Sequence, residues 1–160
     1  MNINNHSLRK LSRVADGRRG NAIIEFSLLM PWLIFLFVGA LDWGFYTYSL
    51  ISTQAASRVG AVYASSSPGA MADKAGICMY ALEQLRKMPN VGSGLSSCAT
   101  GTGVSSSSPV ASSVTSVTGI DGKPAVQVSV TYQTPVYIPL MTSLPKQAVI
   151  TRTMQMRMLQ

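Results

Sequence analysis

Residues Phe26 to Leu41, FSLLMPWLIFLFVGAL, form a run of sixteen residues without a charge. Ala22-Ile23-Ile24 precede it, broken off only by Glu25, and Trp43 to Ser57 follow it, broken off only by Asp42. A helix needs about 20 mostly apolar residues to cross a bilayer, and with its flanks the run reaches that length. It predicts a membrane span over about residues 23–46, with the aromatic cluster Trp43, Phe45, Tyr46 and Tyr48 as an outer interfacial belt. A buried core helix is the alternative, but a chain of 160 residues has little else to wrap one. A secretory signal peptide is another, with Val38-Gly39-Ala40 as a small-residue cleavage site. The 25 residues ahead of the run, and Glu25 and Pro31 in or beside it, speak against removal there.

The charges give the span a direction. Residues 1–20 hold Arg9, Lys10, Arg13, Arg18 and Arg19 against Asp16, which is 5 − 1 = +4 of the total +7. Basic residues on one flank keep that flank in the cytoplasm, so residues beyond the span are expected outside. Charged residues make up only 12% of the chain, against about a quarter in soluble domains, which excludes general disorder. Enzyme chemistry is not expected. The only histidine, His6, lies in the basic tail, so no Ser/His/Asp set can form and Cys98 has no His partner. Topology and anionic lipid account for the basic tail without nucleic acid. Neither a metal site nor a cofactor is expected.

Beyond the span the helical pattern continues. Positions 49, 52, 53, 56, 57, 60, 61 and 64 are Ser, Ser, Thr, Ala, Ser, Gly, Ala and Ala, a stripe at helical spacing. Ser52, Ala56, Gly60 and Ala64 are its packing positions. With no proline between Trp32 and Ser67, one helix is expected from about Ala22 to Ala64, roughly 65 Å at 1.5 Å per residue. A stripe of small residues lets another helix approach closely; packing on the chain's own C-terminal domain and packing on a neighbouring subunit are both open.

After Ser65-Ser66-Ser67-Pro68-Gly69, residues 70–88 read as a second helix, with Ile77, Tyr80, Ala81, Leu82 and Leu85 on its apolar side. Residues 92–113, rich in Ser, Gly and Thr, read as a loop. Val126, Val128, Val130 and Tyr132 alternate with Gln127, Ser129, Thr131 and Gln133, a half-buried strand. Asp121-Gly122 ahead of it, after Val114, Val117 and Ile120, signals a hairpin. Pro135, Pro139 and Pro145 bound a loop, and residues 147–158 alternate again, with Arg152 on the apolar side. The expectation is an α+β chain: a long N-terminal transmembrane helix, then a second helix and a three-stranded antiparallel sheet. The division is a basic leader over 1–20, the long helix over 21–64 and an outer α+β domain over 65–160.

Cys78 and Cys98 enclose nineteen residues and lie on the expected outer side, where disulfides persist. A bond between them contributes about 3 kcal/mol in the chain-entropy model; two free thiols are the alternative. At the junction of tail and helix, Arg18-Arg19-Gly20-Asn21-Ala22-Ile23-Ile24-Glu25-Phe26 runs straight into the apolar segment. A lone carboxylate at the edge of a span is costly unless paired. A cut after Gly20 gives Asn21 an α-ammonium one helical turn from Glu25, able to neutralise it in the same chain or a neighbour. In an uncut helix Glu25 is solvated beside Arg18 and Arg19. The residues alone leave both open.

Arg19-Gly20, Glu25-Phe26, Pro31 and the stretch Gln54-Ala55-Ala56-Ser57-Arg58-Val59-Gly60-Ala61 resemble TadE-like proteins, pilin-like components of tight-adherence (Flp, type IVc) pilus systems. The likeness is specific over about residues 17–64 and looser at Val128-Ser129-Val130-Thr131-Tyr132 and the closing strand. It implies that Gly20 ends a leader removed by a prepilin peptidase and that Glu25 is the fifth residue of the mature chain. It implies a minor pilin or pseudopilin, meeting the major pilin, other minor pilins and the inner-membrane assembly platform. The alternative is an uncleaved bitopic assembly factor of the inner membrane, its C-terminal domain in the periplasm. Larger relatives carry a further C-terminal domain, for which residues up to Gln160 leave no room.

Overall fold

The structure, a computed structural model, describes residues 5–92, 94–101, 103–135 and 147–159, with side chains from Ala22 onward except that of Thr100. It consists of two compact units, Met1–Trp43 and Gly44–Gln160.

Helix α1 (Asn5–Ser65) supplies residues to both. It starts well before the expected Ala22 and ends one residue beyond the expected Ala64. Pro31 lies inside it. Proline has no N–H to donate to the carbonyl four residues back, yet the helix continues, as helices in apolar surroundings often do. In the first unit nearly every side chain from Ala22 to Trp43 is exposed, among them Leu28 and Trp32. A helix that is apolar all round needs an apolar surrounding. It is the one candidate membrane span among the described residues, consistent with a single-pass membrane protein.

In the second unit α1 ends in a set of serines. Ser65 Oγ donates to the Val62 carbonyl and Ser66 Oγ to that of Tyr63, at 2.9 and 2.8 Å, satisfying carbonyls that a helix end leaves open. Ser67 then caps α2 (Pro68–Ala72), its hydroxyl accepting from Ala70 N–H at 3.1 Å, with Pro68 in the first turn. Asp73 caps α3 (Lys74–Leu85), its Oδ1 accepting from Gly76 N–H at 2.9 Å. The single helix expected over 70–88 is therefore two. Asp73 breaks it, because a capping side chain competes with helix continuation for the same backbone donors.

The sheet has the order β1-β2-β3-β4, with β1 (Ala99–Thr100), β2 (Val110–Thr118), β3 (Pro124–Gln133) and β4 (Val149–Arg157). The last three are antiparallel neighbours, as expected. The short β1, which pairs parallel to β2 at Ala111 and Ser112, and the start of β2 at Val110 both fall in the stretch expected to be loop. The hairpin between β2 and β3 turns at Gly119–Lys123, where Gly119 N–H donates to Lys123 O and Gly122 takes φ +72°, a conformation that suits glycine. Of the proline-bounded loop between β3 and β4, residues 136–146 lie outside the described residues.

Val126, Val128, Val130 and Tyr132 are fully buried, the face the alternation assigns. They pack with Val110 of β2, with Ile77, Ala81, Leu82 and Leu85 of α3, and with Ala56, Ala61 and Ala64 of α1. Each fully buried aliphatic side chain contributes about 1.5–3 kcal/mol. Arg152 pairs with Val130 on this inner face yet remains half-exposed, because β4 is the edge strand and its head can reach water past the rim.

Candidate functional site

Gly20 and Asn21 lie within α1, and the Asn21 side chain falls outside the described ones. Glu25 is exposed, one residue before Phe26, itself exposed. No described cation lies in ion-pair range of Glu25. Ser27, two residues on, turns its hydroxyl back to the Ile23 carbonyl at 2.8 Å. Beyond Pro31 the exposed residues to Trp43 hold no other ionisable group than Asp42. The start of the span thus presents one carboxylate on an apolar, solvent-free-seeking surface.

The small-residue stripe occupies the second unit. Ser49, Thr53, Ala56, Ser57, Gly60, Ala61 and Ala64 are buried, and Ser52 is half-buried. Within this chain they face its own domain. A Cβ on Gly60 would stand 3.3 Å from Val128 Cγ1 and 3.4 Å from Ile77 Cγ2, so the absent side chain sets how closely α1 approaches β3 and α3. The hydroxyls within the stripe cost nothing by burial, since Ser49, Thr53 and Ser57 donate to the carbonyls of Phe45, Ser49 and Gln54 at 2.7–2.9 Å. The opposite side of the helix exposes Tyr48, Ile51, Arg58 and Val62.

Cys78 of α3 and Cys98 are joined as a disulfide, with Cα atoms 5.8 Å apart. It fastens the Ser/Gly-rich stretch, just ahead of β1, to the buried side of α3. Among the described residues no group of three His, Cys, Asp or Glu is placed to hold a metal.

Two arrangements were not read from the sequence, one with a faint signal there and one with none. The Tyr63 hydroxyl donates to Asp73 Oδ2 at 2.9 Å, and the Tyr63 and Tyr80 rings lie 4.7 Å apart. This ties the last turn of α1 to the α2–α3 corner at Asp73 and to the middle of α3 at Tyr80. The Gly76 N–H bond, then the Tyr63 hydroxyl, hold the Asp73 carboxyl below its ordinary range. The hydrogen bond to Asp73 in turn raises Tyr63 above the ordinary phenol value. An Asp just before a helical segment was the available clue. Farther along, the buried Tyr132 hydroxyl donates to Asn90 Oδ1 at 2.5 Å, and Asn90 Nδ2 donates to the Gln133 carbonyl at 2.7 Å. This pair, 42 residues apart in sequence, left no local pattern.

A single exposed apolar helix feeding a small, disulfide-bonded α+β unit defines a candidate single-pass membrane protein. Residues 20–62 match the model of the TadE-like protein family, the stretch that carries Gly20, Glu25, Pro31 and the small-residue stripe as far as Ala61. The match associates this part of the chain with tight-adherence pilus systems, and it ends before α2 and the sheet. No curated protein and no solved structure matches the chain.

Proposed function

We propose that the chain is a pilin-like component, a minor pilin or pseudopilin, of a tight-adherence pilus, and that it acts in pilus assembly through α1. The observation that carries this reading is a coincidence of position. The TadE-like match begins at residue 20, and five residues later Glu25 is the one carboxylate at the start of the exposed apolar helix, ahead of the charge-free run from Phe26 to Leu41.

In this reading a prepilin peptidase cuts between Gly20 and Asn21. The basic leader stays in the cytoplasm, and the disulfide-bonded unit is periplasmic, where such bonds persist. When apolar N-terminal helices pack side by side, an unpaired carboxylate costs several kcal/mol. The α-ammonium of Asn21, created by the cut, is its counter-charge. The partners are the major pilin, other minor pilins, the peptidase and the inner-membrane assembly platform. The chain performs no catalysis and needs no cofactor.

Complementation of a deletion strain tests this, with sheared pili and membranes probed separately. Glu25→Gln keeps the shape of the side chain and removes its charge. The variant is expected to insert and fold, yet give no pili. Normal piliation by a stably expressed Glu25→Gln protein would sink the pilin reading.

A second reading has its own observation. α1 runs without interruption through the Gly20–Asn21 bond, which suits a chain kept whole as a bitopic assembly factor. The N-terminal residue of protein purified from membranes separates the two: Asn21 for the pilin, Met1 for the assembly factor.

A further inference from the structure

We propose that the free edge of β4 is a docking site for an extended, acid-bearing segment of another protein, which adds to the sheet as a fifth strand. The register identifies which backbone groups are on offer. Thr134 N–H donates to Ala148 O at 2.9 Å, and Met158 N–H to Pro124 O at 3.2 Å. In an antiparallel ladder, hydrogen-bonded and non-bonded pairs alternate. Residues 150, 152, 154 and 156 therefore bond to β3, while Val149, Thr151, Thr153, Gln155 and Arg157 turn their N–H and C=O groups away from it. All five are exposed, and none has a backbone partner on that side among the described residues. The next residue of the same parity, Leu159, does find one: its N–H donates to Ser65 O at 3.0 Å. The end of α1 thus closes the edge at its last residue and leaves nine residues of strand open.

Charge selects the occupant. Residues 44–160 carry eight Lys and Arg against three acids, 8 − 3 = +5. Each acid is already engaged. Asp73 accepts from Tyr63 and Gly76, Glu83 pairs with Arg86 at 2.9 Å, and Asp121 with Arg157 at 3.7 Å. Arg152 has no described acidic partner, and β4 itself contains no acid. A second copy pairing β4 with β4 brings further guanidinium groups to the same seam and no carboxylate. On the inner face Arg152 stands between Ile150 and the half-buried Met154 and Met156. The fitting guest alternates apolar residues with small polar ones and places one carboxylate opposite Arg152. Main-chain bonds hold it and alternate side chains select it.

The test uses the full chain in phosphatidylcholine nanodiscs and the capped peptide TVTVTETVT, which in antiparallel pairing sets its glutamate opposite Arg152. Hydrogen exchange is read at single amides. The N–H groups of Thr151, Thr153 and Gln155 should slow at least about tenfold, while those of Arg152 and Met154, already bonded to β3, stay unchanged. TVTVTKTVT should give no protection at the same concentration. Arg152→Glu should reverse the preference, and Thr153→Pro, which deletes an outward N–H at an edge where proline is tolerated, should abolish binding. Unchanged exchange with the acidic peptide, or equal protection by both peptides, overturns the proposal. So does protection of these amides that grows with protein concentration alone, since a second copy then fills the edge.

Discussion

The backbone N–H of Leu159 donates to the carbonyl of Ser65 at 3.0 Å, so the chain that leaves β4 caps the helix that enters the domain. A helix end leaves its last carbonyls without intrahelical partners. Here serine hydroxyls take the carbonyls of Val62 and Tyr63, and Leu159 takes that of Ser65 itself. The second unit is closed by a contact between the end of its first helix and the residues that follow its last strand.

Gly60 sets the spacing at the centre of that unit. Gly60→Leu should lower stability by about 1–3 kcal/mol or more through overpacking against Val128 and Ile77. Gly60→Ala is different. The added methyl meets those side chains at 3.3 and 3.4 Å, a tight fit, while helix propensity improves by about 1 kcal/mol. Its net effect should stay within about 1 kcal/mol. Denaturant titration of the purified protein, followed by circular dichroism, measures both.

Tyr132→Phe removes one hydroxyl and leaves Asn90 Oδ1 without that donor. A fully buried unsatisfied acceptor costs about 1–3 kcal/mol, and the half-buried Asn90 should show the lower end of that range. The loss should appear as a lower denaturation midpoint with an unchanged slope. A neutral Tyr132→Phe would show that water replaces the hydroxyl.

Replacing both Cys78 and Cys98 with alanine should cost about 3 kcal/mol and open residues 90–110 to protease, with membrane insertion intact. Limited proteolysis followed by mass spectrometry reports the cleavage sites. Resistance equal to that of the parent would mean that β1 pairing alone holds this stretch.

The Tyr63–Asp73 pair predicts a stability plateau with a fall on each side. Asp73 is lowered in the folded chain, first by the Gly76 N–H and then by Tyr63. Its contribution is present above the unfolded carboxyl value, about 4, and is lost as pH falls through the folded value. Tyr63 is raised, chiefly by Asp73. Its contribution is present below about pH 10 and is lost as pH rises through the folded value. Asp73→Ala should lower the thermal midpoint at neutral pH and flatten its acid dependence. Parallel midpoint curves for parent and variant across pH 2–11 would remove the pair from the account.

The parts of this architecture that repeat locally were legible in the sequence. The charge-free run from Phe26 to Leu41 marked the span, and the alternation through Tyr132 assigned the buried face of β3. Asp121-Gly122 placed the hairpin. The parts that depend on long-range partners were not. β1 has two residues and exists only because Ala111 and Ser112 lie beside it. The break at Asp73 was hidden because residues 70–88 keep a helical apolar pattern on both sides of it. Arg152 broke the alternation of β4, and only the strand order explains its tolerance, since an edge lets the side chain reach out. The stripe from Ser49 to Ala64 was visible as a stripe, but what it faces came from Val128 and Ile77 meeting at Gly60. At the candidate site, Glu25 and the small residues stood out by type and spacing, whereas Asn90 and Tyr132 meet only after folding.

The self-bonded hydroxyls of Ser49, Thr53 and Ser57 bear on how the second unit is put together. The helix is synthesised before any strand, and its future interface must wait until β3 follows. Hydroxyls already bonded to their own helix need no change of partner when the valines arrive. Docking then removes only apolar surface and loosely held solvent from the stripe. Helix α1 thus brings to the sheet a face whose buried hydroxyls already have their partners.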